Sequence, residues 1–101
     1  MLNSIMKKPK SVRILCEVHC NWTDVPPRYR LYVDGELFTE RSYIWTDFYL
    51  EEAIHISALP GHYKIDYQLL DTANASLKIK NARVEQGPGV MHPKLMLEIT
   101  P

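Results

Sequence analysis

Along most of the chain, apolar and polar residues take turns one by one. In "SVRILCEVH", Val12, Ile14, Cys16 and Val18 fall on one side and Arg13, Glu17 and His19 on the other, with Leu15 as the exception. Alternation with a period of two predicts a strand with one face buried. In "RYRLYVDGELFTER", Tyr29, Leu31 and Val33 alternate with Arg28, Arg30 and Tyr32. Asp34-Gly35 follows, a dipeptide that tolerates positive φ and so predicts a two-residue hairpin turn. The return strand carries Leu37 and Phe38 among Glu36, Glu40 and Arg41.

The segment "EEAIHISALPGHYKIDYQLLD" has the same form. Ile54 and Ile56 lead into Pro60-Gly61, after which Tyr63, Ile65, Tyr67 and Leu69 alternate with Lys64, Asp66 and Gln68. A second hairpin is predicted there. In "ASLKIKNARVEQG" the apolar phase shifts between Leu77-x-Ile79 and Ala82-x-Val84, which is what a β-bulge produces, and Lys80-Asn81 is the expected place. "KLMLEIT" closes the series with Leu95, Leu97 and Ile99 in phase. Helical periodicity is nearly absent: only "TDFYLEEAI" could hold a turn of helix capped by Thr46 or Asp47. The expected fold is therefore all-β, an antiparallel β-sandwich of about seven or eight short strands, with a jelly-roll or immunoglobulin-like topology.

A length of 101 residues suits one domain. Residues 11–101 are expected to form the sandwich and 1–10 a flexible N-terminal arm. Twelve Lys plus Arg against twelve Asp plus Glu give zero net charge. That balance argues against a nucleic-acid binder, which needs a basic surplus to displace counterions. Lys7-Lys8-Pro9-Lys10 is read as a solvated basic run. No apolar stretch approaches the ~20 residues that cross a bilayer, and no secretory signal pattern opens the chain. The expected location is intracellular and reducing, or virion-associated, with no membrane partner. Without export, the sequons Asn21-Trp22-Thr23 and Asn74-Ala75-Ser76 carry no weight.

Three features could carry chemistry. In "CEVHC", Cys16 and Cys20 share a strand face but lie about 13 Å apart at ~3.3 Å per residue, too far for a disulfide, and His19 points the other way. Both are read as free core or strand-end cysteines. His55, His62 and His92 are scattered. His55 and His62 flank the second predicted hairpin, so a two-His metal site is the weaker alternative, and the expectation is no metal and no cofactor. Glu51 and Glu52 are adjacent and must face opposite ways, a poor acid–base pair. Nothing forms a catalytic constellation, and the chain is read as non-enzymatic. The third feature is "YIWTDFY", where Tyr43, Trp45, Phe48 and Tyr49 gather four of ten aromatics. Such a stretch serves as a core edge, an oligomer interface or, with Arg41, Asp47 and Glu51 beside it, a sugar-stacking platform.

Over residues 59–87, "LPGHYKIDYQLLD" with "ASLKIKNARVEQG" resembles the closing strands of immunoglobulin-like and jelly-roll sandwich modules. Over 11–89, "PPRYRLYVDGELFTER" with "FYLEE" resembles small uncharacterised β-sandwich proteins of large tailed phages, marine ones included. That second resemblance implies a virion or assembly component. The expected function is a non-catalytic structural or protein-interaction module, with a homo-oligomer or another protein as partner. The alternative is a carbohydrate-binding module using residues 43–49.

Overall fold

The computed structural model describes residues 8–70 and 75–101. Eight strands form two antiparallel sheets packed face to face: β1 (Lys10–Trp22), β2 (Arg28–Val33), β3 (Glu36–Ser42), β4 (Leu50–Ala58), β5 (Gly61–Leu69), β6 (Ala75–Gln86), β7 (Gly89–His92) and β8 (Met96–Ile99). The smaller sheet runs β4-β1-β6 and the larger β3-β2-β5-β8-β7. The arm expected over 1–10 and the sequon residue Asn74 lie mostly or wholly outside the described residues; Lys10 already opens β1. Among the described residues, no helix is long and apolar enough to cross a membrane.

The alternating residues meet where the sheets face. Val12, Ile14, Cys16 and Val18 of β1 and Ile54 and Ile56 of β4 pack against Tyr29 and Leu31 of β2, Ile65 of β5, and Leu97 and Ile99 of β8. Burying a side chain of this size contributes about 1.5–3 kcal/mol, so these positions are the main favourable term in folding. Leu15, the exception to the alternation, is also buried, on the outer face between Ala53 and Arg83 in register.

Asp34-Gly35 makes the expected hairpin turn, with Val33 opposite Glu36 and both turn residues at positive φ (50° and 81°). The Asp34 carboxylate also accepts the Lys64 backbone N–H at 2.7 Å, fastening the turn to β5. The predicted bulge is in place as well. Leu15 pairs with Arg83 and Glu17 with Lys80, so β6 carries an extra residue there, and Asn81 takes φ 52°. Its side chain donates to Glu17 Oε2 at 2.7 Å, which holds the bulge against β1. A second shift at the Glu85 level bends the same strand again.

The second predicted hairpin does not form. β4 pairs with β1, and β5 pairs with β2 and β8, so the Leu59-Pro60 connection steps from one sheet to the other. Alternation, turn, alternation is the signature of both a hairpin and a sandwich corner. Here the apolar faces of the two strands bury against each other rather than side by side. Nor is there a helical turn over 46–52: bends at Thr46–Phe48 lead straight into β4. A short 3-10 turn, Pro93–Leu95, joins β7 to β8 instead. Only the β2–β3 and β7–β8 connections stay within a sheet. The β6–β7 crossing depends on Gly87, at φ 95°, where a Cβ would lie 2.3 Å from the Ser11 carbonyl oxygen.

Candidate functional site

The aromatic stretch is the connection from β3 to β4, spanning the two sheets at one end of the sandwich. Tyr43 is its anchor. It is 0% exposed, its hydroxyl lies 2.7 Å from the Phe48 carbonyl and 3.1 Å from that of Val18, with one proton to share between them, and its backbone N–H donates to the Pro27 carbonyl (2.8 Å). One phenol thus ties the loop to itself and to β1. Trp45 packs edge-on against Tyr43, with ring centroids 5.3 Å apart, and its carbonyl accepts the Trp22 indole N–H at 2.7 Å. Tyr43 belongs to the core and Trp45 to its margin.

Phe48 and Tyr49 behave differently. They are 73% and 47% exposed, and Ile44 beside them is 62% exposed. Tyr49 stacks on His19 of β1, with centroids 4.9 Å apart and planes 22° from parallel. Together with Asn21, Asp47 and Glu51 they line an open cleft of about 970 Å³. Of the four aromatics singled out in sequence, the cleft holds Trp45, Phe48 and Tyr49 at its wall and leaves Tyr43 beneath it. Arg41 is not at the cleft; it turns toward the sandwich interior.

There it meets a carboxylate whose partners alternation alone does not reveal. Glu52 faces inward from β4, only 3% exposed, while Glu51 faces solvent, as adjacent strand residues must. Its carboxylate pairs with the Arg41 guanidinium. It also accepts the Tyr67 hydroxyl at 2.8 Å and, more loosely, the Tyr29 hydroxyl at 3.4 Å. Cys16, opposite Glu52 in the β1–β4 register, contacts the Tyr67 oxygen at 3.1 Å. A buried carboxylate is tolerated only with such company, since an uncompensated one is strongly destabilising. Burial pushes the Tyr29, Tyr67 and Cys16 ionisations upward. The negative Glu52 adds to this at all three, and the Cys16 thiol adds further at both tyrosines. All three groups therefore keep their protons through neutral pH.

Both cysteines are free and buried, as the strand spacing requires. The histidines separate by sheet. His55 lies on the outer face of the smaller sheet, while His62 and His92 lie on the outer face of the larger one, with Glu98 between them. The His55–His62 pairing considered from sequence fails because their strands are in different sheets. A hydrogen bond from His92, with the nearby His62 adding to it, holds the Glu98 carboxyl below the usual carboxylate range.

Comparison of the chain with protein-family models, with curated proteins and with solved structures finds no match.

Proposed function

We propose that this chain is a non-catalytic structural or protein-interaction module that assembles with copies of itself along the free edge of β4. The resemblance of its 11–89 segment to small phage proteins suggests a virion or assembly component as its role. The observation that carries the reading is the contrast among the four sheet edges. An unpaired edge presents free N–H and C=O groups that template pairing with another chain unless it is protected. β6 is protected by two bulges and by Lys78, Lys80 and Arg83; β7 is only four residues long. β3 is bulged at Phe38 and carries Glu36, Glu40 and Arg41. β4 is neither bulged nor short, and its only carboxylates, Glu51 and Glu52, sit together at its start. It is nine residues long, contains no lysine or proline, and keeps an unbroken register with β1.

Exposed apolar residues flank both ends of that edge. Phe48 and Tyr49 adjoin its start, and Leu37 and Phe38 share a groove with His55–Ala58 near its finish. Antiparallel β4–β4 pairing about a two-fold axis sets one end of each copy against the other end of its partner, so both patches are covered together. Zero net charge leaves no general repulsion to oppose this. Sedimentation at rising concentration tests the proposal. A dimer is expected, weakened in Phe48→Ala/Tyr49→Ala and abolished when His55 and Ser57 on the edge are both replaced by lysine. Trp45→Ala is a poorer probe, because Trp45 supports Tyr43. A wild type still monomeric at about 100 μM, which limits association to about −5.5 kcal/mol, overturns the reading.

One observation favours a second reading. The Tyr49–His19 stack, with Asn21, Asp47 and Glu51 around it, has the flat rings and polar rim that a sugar face requires. Saturable glycan binding by a monomer, lost in Tyr49→Ala, would establish the carbohydrate-binding module instead.

A further inference from the structure

We propose that His62, His92 and Glu98 form a binding site for a divalent transition-metal ion, with Zn²⁺ as the expected occupant, on the outer face of the larger sheet. This departs from the sequence expectation of no metal, because the three residues come from separate strands and meet only through strand order. Glu98 lies directly opposite His62 across the β5–β8 pair. On its other side β8 pairs with β7, where Val90 is opposite Glu98 and His92 is two residues further along. Side chains two apart on a strand share a face. One carboxylate is thus flanked by two imidazoles on the same surface.

The distances suit a single ion. The potential ligand atoms of the three residues all lie within 4.8 Å of one another. His92 Nε2 is 2.7 Å and His62 Nε2 3.7 Å from the same oxygen, Glu98 Oε1. Zinc binds imidazole nitrogen and carboxylate oxygen at about 2.0–2.2 Å, so modest rotations of these side chains admit an ion among them. Two imidazoles and one carboxylate also select by type: imidazole favours zinc, copper and nickel, whereas calcium and magnesium prefer all-oxygen sites. Three protein ligands leave a coordination position open to water.

The surroundings leave the carboxylate available. Lys64 shares this outer face, but its ammonium group contacts the Lys94 carbonyl and lies near Asp66. Among the described residues, the side-chain partners of the Glu98 carboxylate are the two histidine rings. The backbone next to the site is also unusual. Lys94 and Leu95, just after His92-Pro93, both take positive φ (64° and 57°), a conformation that is uncommon for non-glycine residues and that clusters at functional positions. These residues form the short turn that returns the chain from β7 to β8. A bound ion would cross-link β5, β8 and the four-residue edge strand β7.

Titration of the metal-free protein with zinc chloride, followed by calorimetry and by imidazole NMR, tests this. One equivalent should bind, shifting the His62 and His92 ring signals while those of His19 and His55 stay in place. His62→Ala, His92→Ala and Glu98→Gln should each weaken binding at least about tenfold, the least expected for losing a direct ligand. His55→Ala should bind as the wild type does. Because the three side chains lie at the surface, urea titration should show the variants folded, so lost binding reads as lost ligands. The thermal midpoint of the wild type should rise with zinc concentration, and that of His62→Ala/His92→Ala should not. Absence of saturable binding up to millimolar zinc overturns the proposal. So does unchanged binding in the double variant, which would place the ion elsewhere.

Discussion

Replacing Arg41 by methionine should destabilise this protein out of proportion to the position's exposure. Arg41 is nearly half exposed, and removing an ordinary surface arginine changes stability by about 0.5 kcal/mol or less. Its partner, however, is the buried carboxylate of Glu52. Breaking a buried ion pair from one side costs about 3–5 kcal/mol, because the remaining charge is left without compensation. Two tyrosine hydroxyls still reach Glu52 in the variant, and water can approach from the Arg41 side, so about 3 kcal/mol is the expected loss. Glu52→Gln removes the charge but keeps an oxygen for Tyr67 and Tyr29, and the freed guanidinium can hydrate; about 1–2 kcal/mol fits the loss of a charged hydrogen bond. In the Glu52→Gln background, Arg41→Met should then cost about 1 kcal/mol or less, a coupling near 2 kcal/mol. Urea titrations of the four proteins give the cycle directly. Equal costs of Arg41→Met in both backgrounds would show that the arginine acts through packing alone, and the account of Glu52 as a charge held in the core would fail.

Two further outcomes follow from the same interior. Above pH 9 the unfolded chain loses protons from Cys16 and then from Tyr29 and Tyr67, near their ordinary values of 9.0 and 10.0, while the folded chain keeps them. Stability should therefore be intact below pH 9 and fall as pH rises, by about 1.4 kcal/mol per pH unit for each retained proton. Urea midpoints between pH 8 and 11 should show this, with a shallower fall in Tyr67→Phe; a flat profile would contradict the burial of these groups. Ile65→Ala should cost about 2–5 kcal/mol through lost burial and a cavity, whereas Asp66→Ala, facing solvent, should change stability by less than about 0.5 kcal/mol. Equal effects in denaturant titration would refute the β5 register.

What the sequence makes legible here is what is local. The Asp34-Gly35 turn, the phase slip at Lys80-Asn81 and the separation of Cys16 from Cys20 are each settled within a few residues, and each is found as read. Pairing is not local. Ile54-x-Ile56 and Tyr63-x-Ile65 flank Pro60-Gly61 whether the strands lie side by side or in opposite sheets, and only the rest of the fold decides. The same blindness hid the two polar groupings. Glu52 sits in phase with Ile54 and Ile56, a signal that it faces inward, yet its partners Arg41, Tyr29 and Tyr67 come from three other strands. His62 is far from His92 and Glu98 in sequence, and nothing in their spacing announces that β8 lies between β5 and β7. The aromatic stretch was visible as a unit, but which ring is anchor and which is surface depended on what Tyr43 could reach.

The strand order of the smaller sheet also sets the sequence of events in which this protein can fold. β1 is its central strand, so Ile14 must find both Ile54 and Val84, and no neighbour in sequence can stand in for either. Closing such long loops is entropically slow, and topologies dominated by distant pairings fold on the millisecond-to-second scale. The β2–β3 hairpin can form early, as its two strands are joined by two residues. The long apolar face of β1, by contrast, remains without its full complement until β6 has been made and has crossed over. For a chain emerging from the ribosome, that face is the surface most exposed to premature association.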